Sequence, residues 1–140
     1  MAAGKHPITG GCACGAVRYE IGAEPVFMLN CHCRDCQRAT GAAYAPVFVV
    51  PRSALHVTGE VKYFKVTGDG GKYVERGFCP NCGSRMLGNL ERYPDIVGIL
   101  AGSLDDPSLH KPVMDIFTDS AHPWDHMAPD LQKFAKDARN

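Results

Sequence analysis

Seven cysteines constrain this chain more than any other feature, because they fall into three short groups. The groups are Cys12-Ala13-Cys14-Gly15, Cys31-His32-Cys33-Arg34-Asp35-Cys36 and Cys79-Pro80-Asn81-Cys82-Gly83. An odd number leaves one cysteine over in any scheme that pairs them all as disulfides. Metal ligation avoids that difficulty, since a closed four-cysteine site and an open three-cysteine site use all seven. The pattern therefore predicts metal binding, and zinc is the metal that thiolate-rich tetrahedral sites favour.

Length, charge and hydropathy argue against a multidomain, nucleic-acid-binding, secreted or membrane-spanning protein. A chain of 140 residues fits one domain, and we expect a single zinc-binding domain over residues 1–140 with its structured core at about 8–126. Lys plus Arg and Asp plus Glu are both 15, so no excess of basic residues is available for nucleic acid or an anionic membrane. The first ten residues lack the apolar segment of a secretory signal, and Pro46 interrupts the longest apolar stretch, Ala42 to Val50. We expect a cytoplasmic protein that does not span a membrane.

The spacing of the cysteines indicates how their sulfurs can converge. In Cys79-Pro80-Asn81-Cys82 the two intervening residues allow a tight turn that directs both sulfurs at one ion. Extended residues two apart point to the same side, so Cys31 and Cys33 can share a metal while His32 faces away. The spacing does not decide which four cysteines close a site. Cys33, Cys36, Cys79 and Cys82 are one alternative, which leaves Cys12, Cys14 and Cys31 elsewhere.

The division of seven ligands into four and three has a chemical consequence. A zinc ion held by three thiolates keeps one coordination position open, and open positions are where catalytic zinc binds water or substrate. The charge of three thiolates makes such an ion a poor activator of water and a better holder of an incoming thiol as its thiolate. The alternative is that all seven cysteines only hold a small domain together.

Short strand-like runs separated by glycine, proline and aspartate predict a mainly β fold with few short helices. The predicted strands are Val17 to Ile21, Val26 to Asn30, Tyr44 to Val50, Val61 to Val66, Lys72 to Phe78, Ile96 to Ala101 and Val113 to Phe117. A hairpin joins Val61–Val66 to Lys72–Phe78 through the turn 67–71, which is rich in glycine. Short helices are predicted for Arg34 to Ala39 and for Pro129 to Ala138.

Four sequence motifs together resemble the glutathione-dependent formaldehyde-activating enzyme family. They are Gly11-Cys12-Ala13-Cys14-Gly15-Ala16-Val17-Arg18-Tyr19, Asn30-Cys31-His32-Cys33-Arg34-Asp35-Cys36-Gln37-Arg38-Ala39-Thr40-Gly41, Gly77-Phe78-Cys79-Pro80-Asn81-Cys82-Gly83-Ser84 and Ala101-Gly102-Ser103-Leu104-Asp105-Asp106-Pro107. The resemblance implies a small β-tent zinc fold, shared with some exchange-factor and methionine sulfoxide reductase domains. It also implies the ligand sets: Cys12, Cys14, Cys79 and Cys82 for a structural zinc, and Cys31, Cys33 and Cys36 for a zinc at the active site.

The activity that the resemblance implies is that of a carbon–sulfur lyase. Members of the family join glutathione and formaldehyde into S-hydroxymethylglutathione, so we expect a small-molecule thiol and a small carbonyl as substrates. The hypothesis gives Cys31, Cys33 and Cys36 the catalytic zinc, whose bound thiolate attacks the carbonyl carbon. Two other classes stay open: a non-catalytic zinc-binding module, and a thiol redox protein in which Cys33 and Cys36 form a disulfide.

Several polar residues near these motifs have a functional and a structural interpretation. Arg34 and Arg38, one helical turn apart, can bind a substrate carboxylate or lie solvated on the surface. His32 can transfer protons or pack in the core. Ser84 can hydrogen-bond a zinc thiolate. Turn formation accounts for Asp105 and Asp106, and Pro123 and Pro129 disfavour a metal-binding helix with His122 and His126. Trp124 is expected to close the core or a pocket wall.

Overall fold

The computed structural model describes residues 7–68 and 70–138. In this part of the chain the strands are β1 (Ile8–Gly11), β2 (Arg18–Ile21), β3 (Phe27–Cys31), β4 (Ala45–Pro51), β5 (Leu55–Thr58), β6 (Lys62–Thr67), β7 (Tyr73–Phe78), β8 (Arg85–Leu90), β9 (Ile96–Leu100), β10 (Met114–Ile116) and β11 (Gln132–Lys133). The α-helix is α1 (Arg34–Thr40), and 3-10 turns cover Arg52–Ala54, Ala101–Ser103, Pro107–Leu109 and Thr118–Ser120. The expectation of a mainly β fold is confirmed.

The strands form two sheets. The smaller has the order β1-β2-β5, and the larger has the order β11-β10-β3-β4-β9-β8-β7-β6. Most neighbours are antiparallel, while β10 runs parallel to both β3 and β11. No helix within the described ranges is long and apolar enough to cross a membrane.

Strand β4 lies inside the larger sheet and has apolar side chains on both faces, which explains its nearly continuous apolar sequence. Phe48 and Val50 pack in one core cluster with residues of the small sheet, including Tyr19. Ala45 belongs to a second cluster on the opposite side, and Val47 packs against it. Cys12 and Cys79 lie in the first cluster, whereas Cys31 and Cys36 lie in the second. The larger sheet therefore separates the two cysteine regions.

The seven predicted strands all form, each within one residue of the expected bounds at either end. The predicted hairpin is confirmed as the pairing of β6 with β7, from Lys62 opposite Phe78 to Thr67 opposite Tyr73. One residue of its turn, Asp69, lies outside the described residues. Strands β1, β5, β8 and β11 were not predicted, and the short helix predicted from Arg34 is α1.

The predicted helix Pro129 to Ala138 is wrong. This segment contains the short strand β11, which pairs with β10. Its backbone also forms hydrogen bonds with the segment that contains β10. The amide of Phe134, for example, donates to the carbonyl of Asp115 at 2.9 Å. Isolated helices of this length are marginal in water, so hydrogen bonds to an existing strand outcompete helical ones.

His110 offers a test of the fold through pH. Both ring nitrogens are buried without a hydrogen-bond partner, and burial lowers the pKa of this histidine. The unfolded chain then binds a proton that the folded chain excludes, so the free energy of unfolding falls as the pH drops below about 6.5. We expect His110→Leu to raise stability by about 1 kcal/mol and to flatten this pH dependence, as measured by urea unfolding between acidic and neutral pH. The exposed His126→Gln serves as the control and should keep the dependence of the parent.

Candidate metal centres

The first cysteine group gathers four sulfurs from two turns. Cys12 and Cys14 lie between β1 and β2, and Cys79 and Cys82 lie between β7 and β8. All four sulfurs lie within 4.8 Å of one another. Sγ of Cys14 is 3.6 Å from Sγ of Cys12 and 3.8 Å from Sγ of Cys79. A tetrahedral zinc with bonds of about 2.3 Å requires sulfurs about 3.8 Å apart, so this set fits the ion.

Hydrogen-bond donors surround these four sulfurs. The amide of Val17 donates to Cys12 at 3.3 Å, and the side-chain amide of Asn81 donates to Cys14 at 3.2 Å. Ser84 Oγ lies 3.2 Å from Sγ of Cys82, as expected from the sequence. The Ser84 hydroxyl lowers the pKa of the Cys82 thiol to about 5, and the Val17 amide lowers the pKa of Cys12. Such donors stabilise thiolates, the form that binds metal.

The second group, which we call the triplet, consists of Cys31, Cys33 and Cys36. Cys31 ends β3, Cys33 is the N-cap of α1, and Cys36 lies in the first turn of the helix. Their sulfurs also lie within 4.8 Å of one another. Cys33 accepts a hydrogen bond from the backbone amide of Cys36 at 3.2 Å. Hydrogen bonds from the thiols of Cys31 and Cys36 lower the pKa of Cys33.

The structure thus brings the seven cysteines together as four and three. This is the grouping that the family resemblance implied. The alternative left open by spacing, with Cys33 and Cys36 joining Cys79 and Cys82, does not form. The larger sheet keeps these cysteines apart, because Cys79 packs in one core cluster and Cys36 packs in the other.

His32 faces away from the triplet, as the alternation along an extended chain predicts. Its side chain is fully buried, with Nε2 2.8 Å from Oδ1 of Asp115 and Nδ1 2.7 Å from Oδ2 of Asp125. Lys133 Nζ lies 2.7 Å from the other oxygen of Asp115. Burial opposes ionisation of Asp115, but hydrogen bonds from Lys133 and His32 outweigh it and lower the pKa. These four side chains form a network, which we call the His32 network, in which His32, Asp115 and Asp125 have buried side chains and that of Lys133 is 32% exposed.

Gln37 connects α1 to the segment after β10. Its side-chain nitrogen donates to the carbonyls of His32 at 2.8 Å and Ser120 at 3.0 Å, and its oxygen lies 2.8 Å from Nε2 of His122. The His122 ring stacks on Trp124, with centroids 5.2 Å apart. Trp124 is 63% exposed, so the expectation that it closes the core is wrong. No helix forms around His122 and His126 in this described segment.

The arginines near the triplet differ in their surroundings. Arg34 and Arg38 are exposed on α1, and Arg34 donates to the side-chain oxygen of Gln37. Arg76, which the sequence did not single out, lies on β7 with one guanidinium nitrogen 3.7 Å from Sγ of Cys36. No local signal marks Arg76, Asp115 or Asp125, because the fold brings Arg76 to Cys36, and both aspartates to His32, from distant parts of the chain.

The acidic pair before Pro107 belongs to a turn, as predicted. Asp105 forms an ion pair with Arg18 and accepts a hydrogen bond from Thr9 Oγ1 at 2.7 Å. Asp106 caps the following 3-10 turn by accepting from the amide of Ser108 at 3.1 Å. Neither residue belongs to a cysteine group, which favours a structural role for both.

Comparison with known proteins agrees with these sites. A Penicillium rubens protein is 30% identical over 83 residues, which are 58% of this chain and 43% of that protein. An Emericella nidulans protein is 31% identical over 93 residues, which are 63% of this chain and 47% of that protein. Both are named, provisionally, as glutathione-dependent formaldehyde-activating enzymes. The chain spans less than half the length of these curated relatives.

The fold and the family are supported separately. The crystal structure of a Rhodobacter sphaeroides protein aligns with a TM-score of 0.58 at 19% identity, covering 91% of this chain and 99% of that one. This likeness concerns the fold alone. The sequence model described as glutathione-dependent formaldehyde-activating enzyme matches residues 7–120. The chain therefore belongs to the glutathione-dependent formaldehyde-activating enzyme family.

Proposed function

We propose that this chain is a zinc-dependent carbon–sulfur lyase that joins a glutathione-like thiol to a small carbonyl such as formaldehyde. The observation that carries the proposal is the triplet, a potential metal-binding group with three members among the described residues. Three ligands leave a tetrahedral ion one free position, which is typical of catalytic rather than structural zinc. The names of the relatives and of the family support the choice of substrates.

In this proposal the two cysteine groups have different duties. Cys12, Cys14, Cys79 and Cys82 would hold a structural zinc, and Cys31, Cys33 and Cys36 would hold a catalytic one. A bound zinc supplies a Lewis acid that favours the thiolate form of a thiol. In the reaction the thiol loses its proton, its sulfur forms a bond to the carbonyl carbon, and the carbonyl oxygen gains a proton. Ligands of this kind must stay reduced, which supports a cytoplasmic location.

The surrounding residues would keep the triplet in position. Gln37 fixes α1 through the carbonyls of His32 and Ser120. The His32 network holds the backbone between two of the three cysteines, so their sulfurs keep their spacing without a fourth protein ligand. Such support is the usual role of groups that contact metal ligands. The site would thus be rigid before substrate arrives, which lowers the entropic cost of binding.

The proposal is tested by zinc content and by adduct formation in the same samples. We expect two zinc ions per wild-type chain and one in Cys33→Ser, because only the triplet loses a ligand. Adduct formation from glutathione and formaldehyde, followed by NMR of ¹³C-labelled formaldehyde, should fall at least about 100-fold, the size expected when a catalytic group is removed. The exposed Asp35→Asn, in the same helix, should keep both properties.

Two results would contradict the proposal. A wild-type protein that binds one zinc and forms no adduct with any thiol would favour the non-catalytic module. A Cys33→Ser protein that forms adduct as fast as wild type would remove the triplet from the reaction.

A further inference from the structure

The face of the larger sheet that carries the triplet has an unusual row of residues. Arg76 on β7 lies opposite Gly88 on β8, and Gly88 lies opposite Gly98 on β9. Directly opposed residues share a face of the sheet. Gly88 has no side chain, and a Cβ atom there would meet nothing closer than 3.9 Å, so space is open directly beside Arg76. This space ends at Gly98, where a Cβ atom would meet Cγ1 of Val47 at 2.9 Å.

Arg76 is half-buried and has few partners. One guanidinium nitrogen lies 3.7 Å from Sγ of Cys36. Among residues 7–68 and 70–138, no carboxylate pairs with this side chain. A guanidinium has five N–H donors in a planar fork that matches a carboxylate. Most of its donors are therefore free to bind an anion beside the triplet.

The other nearby arginines are less suited to this role. Arg34 already donates to Gln37, and Arg38 is exposed on α1. Arg85 lies over the ring of Phe78, 5.9 Å from its centroid. Only for Arg76, among the arginines described, is a contact with a triplet sulfur observed.

We propose that Arg76 binds the carboxylate of the thiol substrate and makes the triplet site selective for carboxylate-bearing thiols. This inference rests on the proposed function, since it takes a thiol as the ligand at the open position. One guanidinium nitrogen lies 3.7 Å from Sγ of Cys36. A short thiol held beside that sulfur would therefore bring its carboxylate within reach of Arg76.

Charge and surface chemistry agree with such a ligand. Zinc with three thiolates carries about one net negative charge, which the Arg76 guanidinium balances. An anionic thiol can then enter without net repulsion. Phe64 lies opposite Arg76 on β6 and is 60% exposed, so its ring offers an apolar surface for the carbon chain of the thiol. A thiol with a positive group would meet the guanidinium instead.

The test uses the protein loaded with cobalt(II), because an added thiolate ligand changes the charge-transfer and d–d absorption of the cysteine-bound ion without any turnover. The probes are 3-mercaptopropionate, 3-mercaptopropanol and 2-aminoethanethiol, which differ in charge. In the wild type we expect 3-mercaptopropionate to bind about tenfold more tightly than 3-mercaptopropanol, the size of one charge-assisted hydrogen bond. The ratio should fall to about one in Arg76→Met, and Arg76→Glu should favour 2-aminoethanethiol. In the wild type, propionate should compete with 3-mercaptopropionate and not with 3-mercaptopropanol.

The outcomes separate this inference from the proposed function. Equal binding of all three probes by the wild type overturns the role of Arg76 and leaves the function intact. Absence of any spectral change with every thiol overturns both. The control Arg38→Glu makes the same charge change on the exposed face of α1. If Arg38→Glu changed the order of affinities for the three probes as much as Arg76→Glu does, the effect would be one of overall charge, and the inference would be overturned. Should Arg76→Met fail to hold cobalt, the competition by propionate in the wild type decides.

Discussion

Replacing Cys79 by serine is expected to cost the protein several kcal/mol of folding stability. Cys79 is fully buried, and its sulfur lies 3.8 Å from that of Cys14 on the other turn. The four-cysteine group connects the β1–β2 turn to the β7–β8 turn. Loss of one ligand would release the metal. Because the unfolded chain lacks a preformed site, the free energy of metal binding contributes directly to the free energy of folding, and this contribution would be lost. At the size of this chain we expect the Tm to fall by about 10 °C or more.

Thermal unfolding followed by circular dichroism, together with zinc analysis, measures this effect. The variant should hold one zinc ion fewer than wild type, and a strong chelator should bring the wild-type Tm down towards that of the variant. Cys33→Ser is the matched control, because it makes the same substitution in the triplet. A smaller fall in Tm is expected there. A Cys79→Ser protein as stable as the wild type would show that these four cysteines are not a structural metal site.

Replacing Asp115 by alanine is expected to cost about 3 kcal/mol, because it removes a buried hydrogen-bond acceptor and leaves a fully buried ring nitrogen of His32 without its partner. Asp115 is 1% exposed. Its two oxygens lie 2.8 Å from His32 Nε2 and 2.7 Å from Lys133 Nζ. His32 is completely buried and cannot turn to water, so its ring nitrogen would lose its only acceptor on that side.

Urea unfolding of Asp115→Ala beside Asp119→Ala measures this cost against a matched control. Asp119 pairs with Lys136 at 2.7 Å, but the two side chains are 40% and 65% exposed. Exposed pairs of this kind contribute about 0–1 kcal/mol. Equal costs for the two variants would mean that the His32 network adds nothing to stability. The Asp115 variant should also hold zinc at the triplet less tightly, by about 10- to 100-fold, since groups behind metal ligands orient them.

The fold could be predicted where the sequence alternates or is continuously apolar. The run that became β4 is apolar because both of its faces are buried, and the glycine-rich segment 67–71 marks the turn between β6 and β7. The sequence Ile8–Gly11 contains two glycines, which are weak strand formers, so β1 depends on its pairing with β2. The same dependence on a neighbour explains why β11 replaced the expected helix.

The candidate metal sites, like the fold, could be predicted from the sequence only in part. Cysteine spacing indicates the ligands, because each pair or triplet is local in the chain. Which pairs share a metal depends on the topology of the larger sheet, and only the family resemblance implied it in advance. The positions of Arg76 and Asp115 follow from strand register, which no spacing rule provides.

The two cysteine groups also differ in how far apart their members lie along the chain. The triplet lies within one segment of six residues, whereas the four-cysteine group joins residues as distant as Cys12 and Cys82, 70 positions apart. On the ribosome, residue 36 is made several seconds before Cys82 at about 5–20 residues per second. A nascent chain can then load the triplet before any sheet exists, since unfolded cysteines also bind metal. The four-cysteine group must wait until both turns have been synthesised and have met, so the triplet would be the first of the two groups to bind a metal ion.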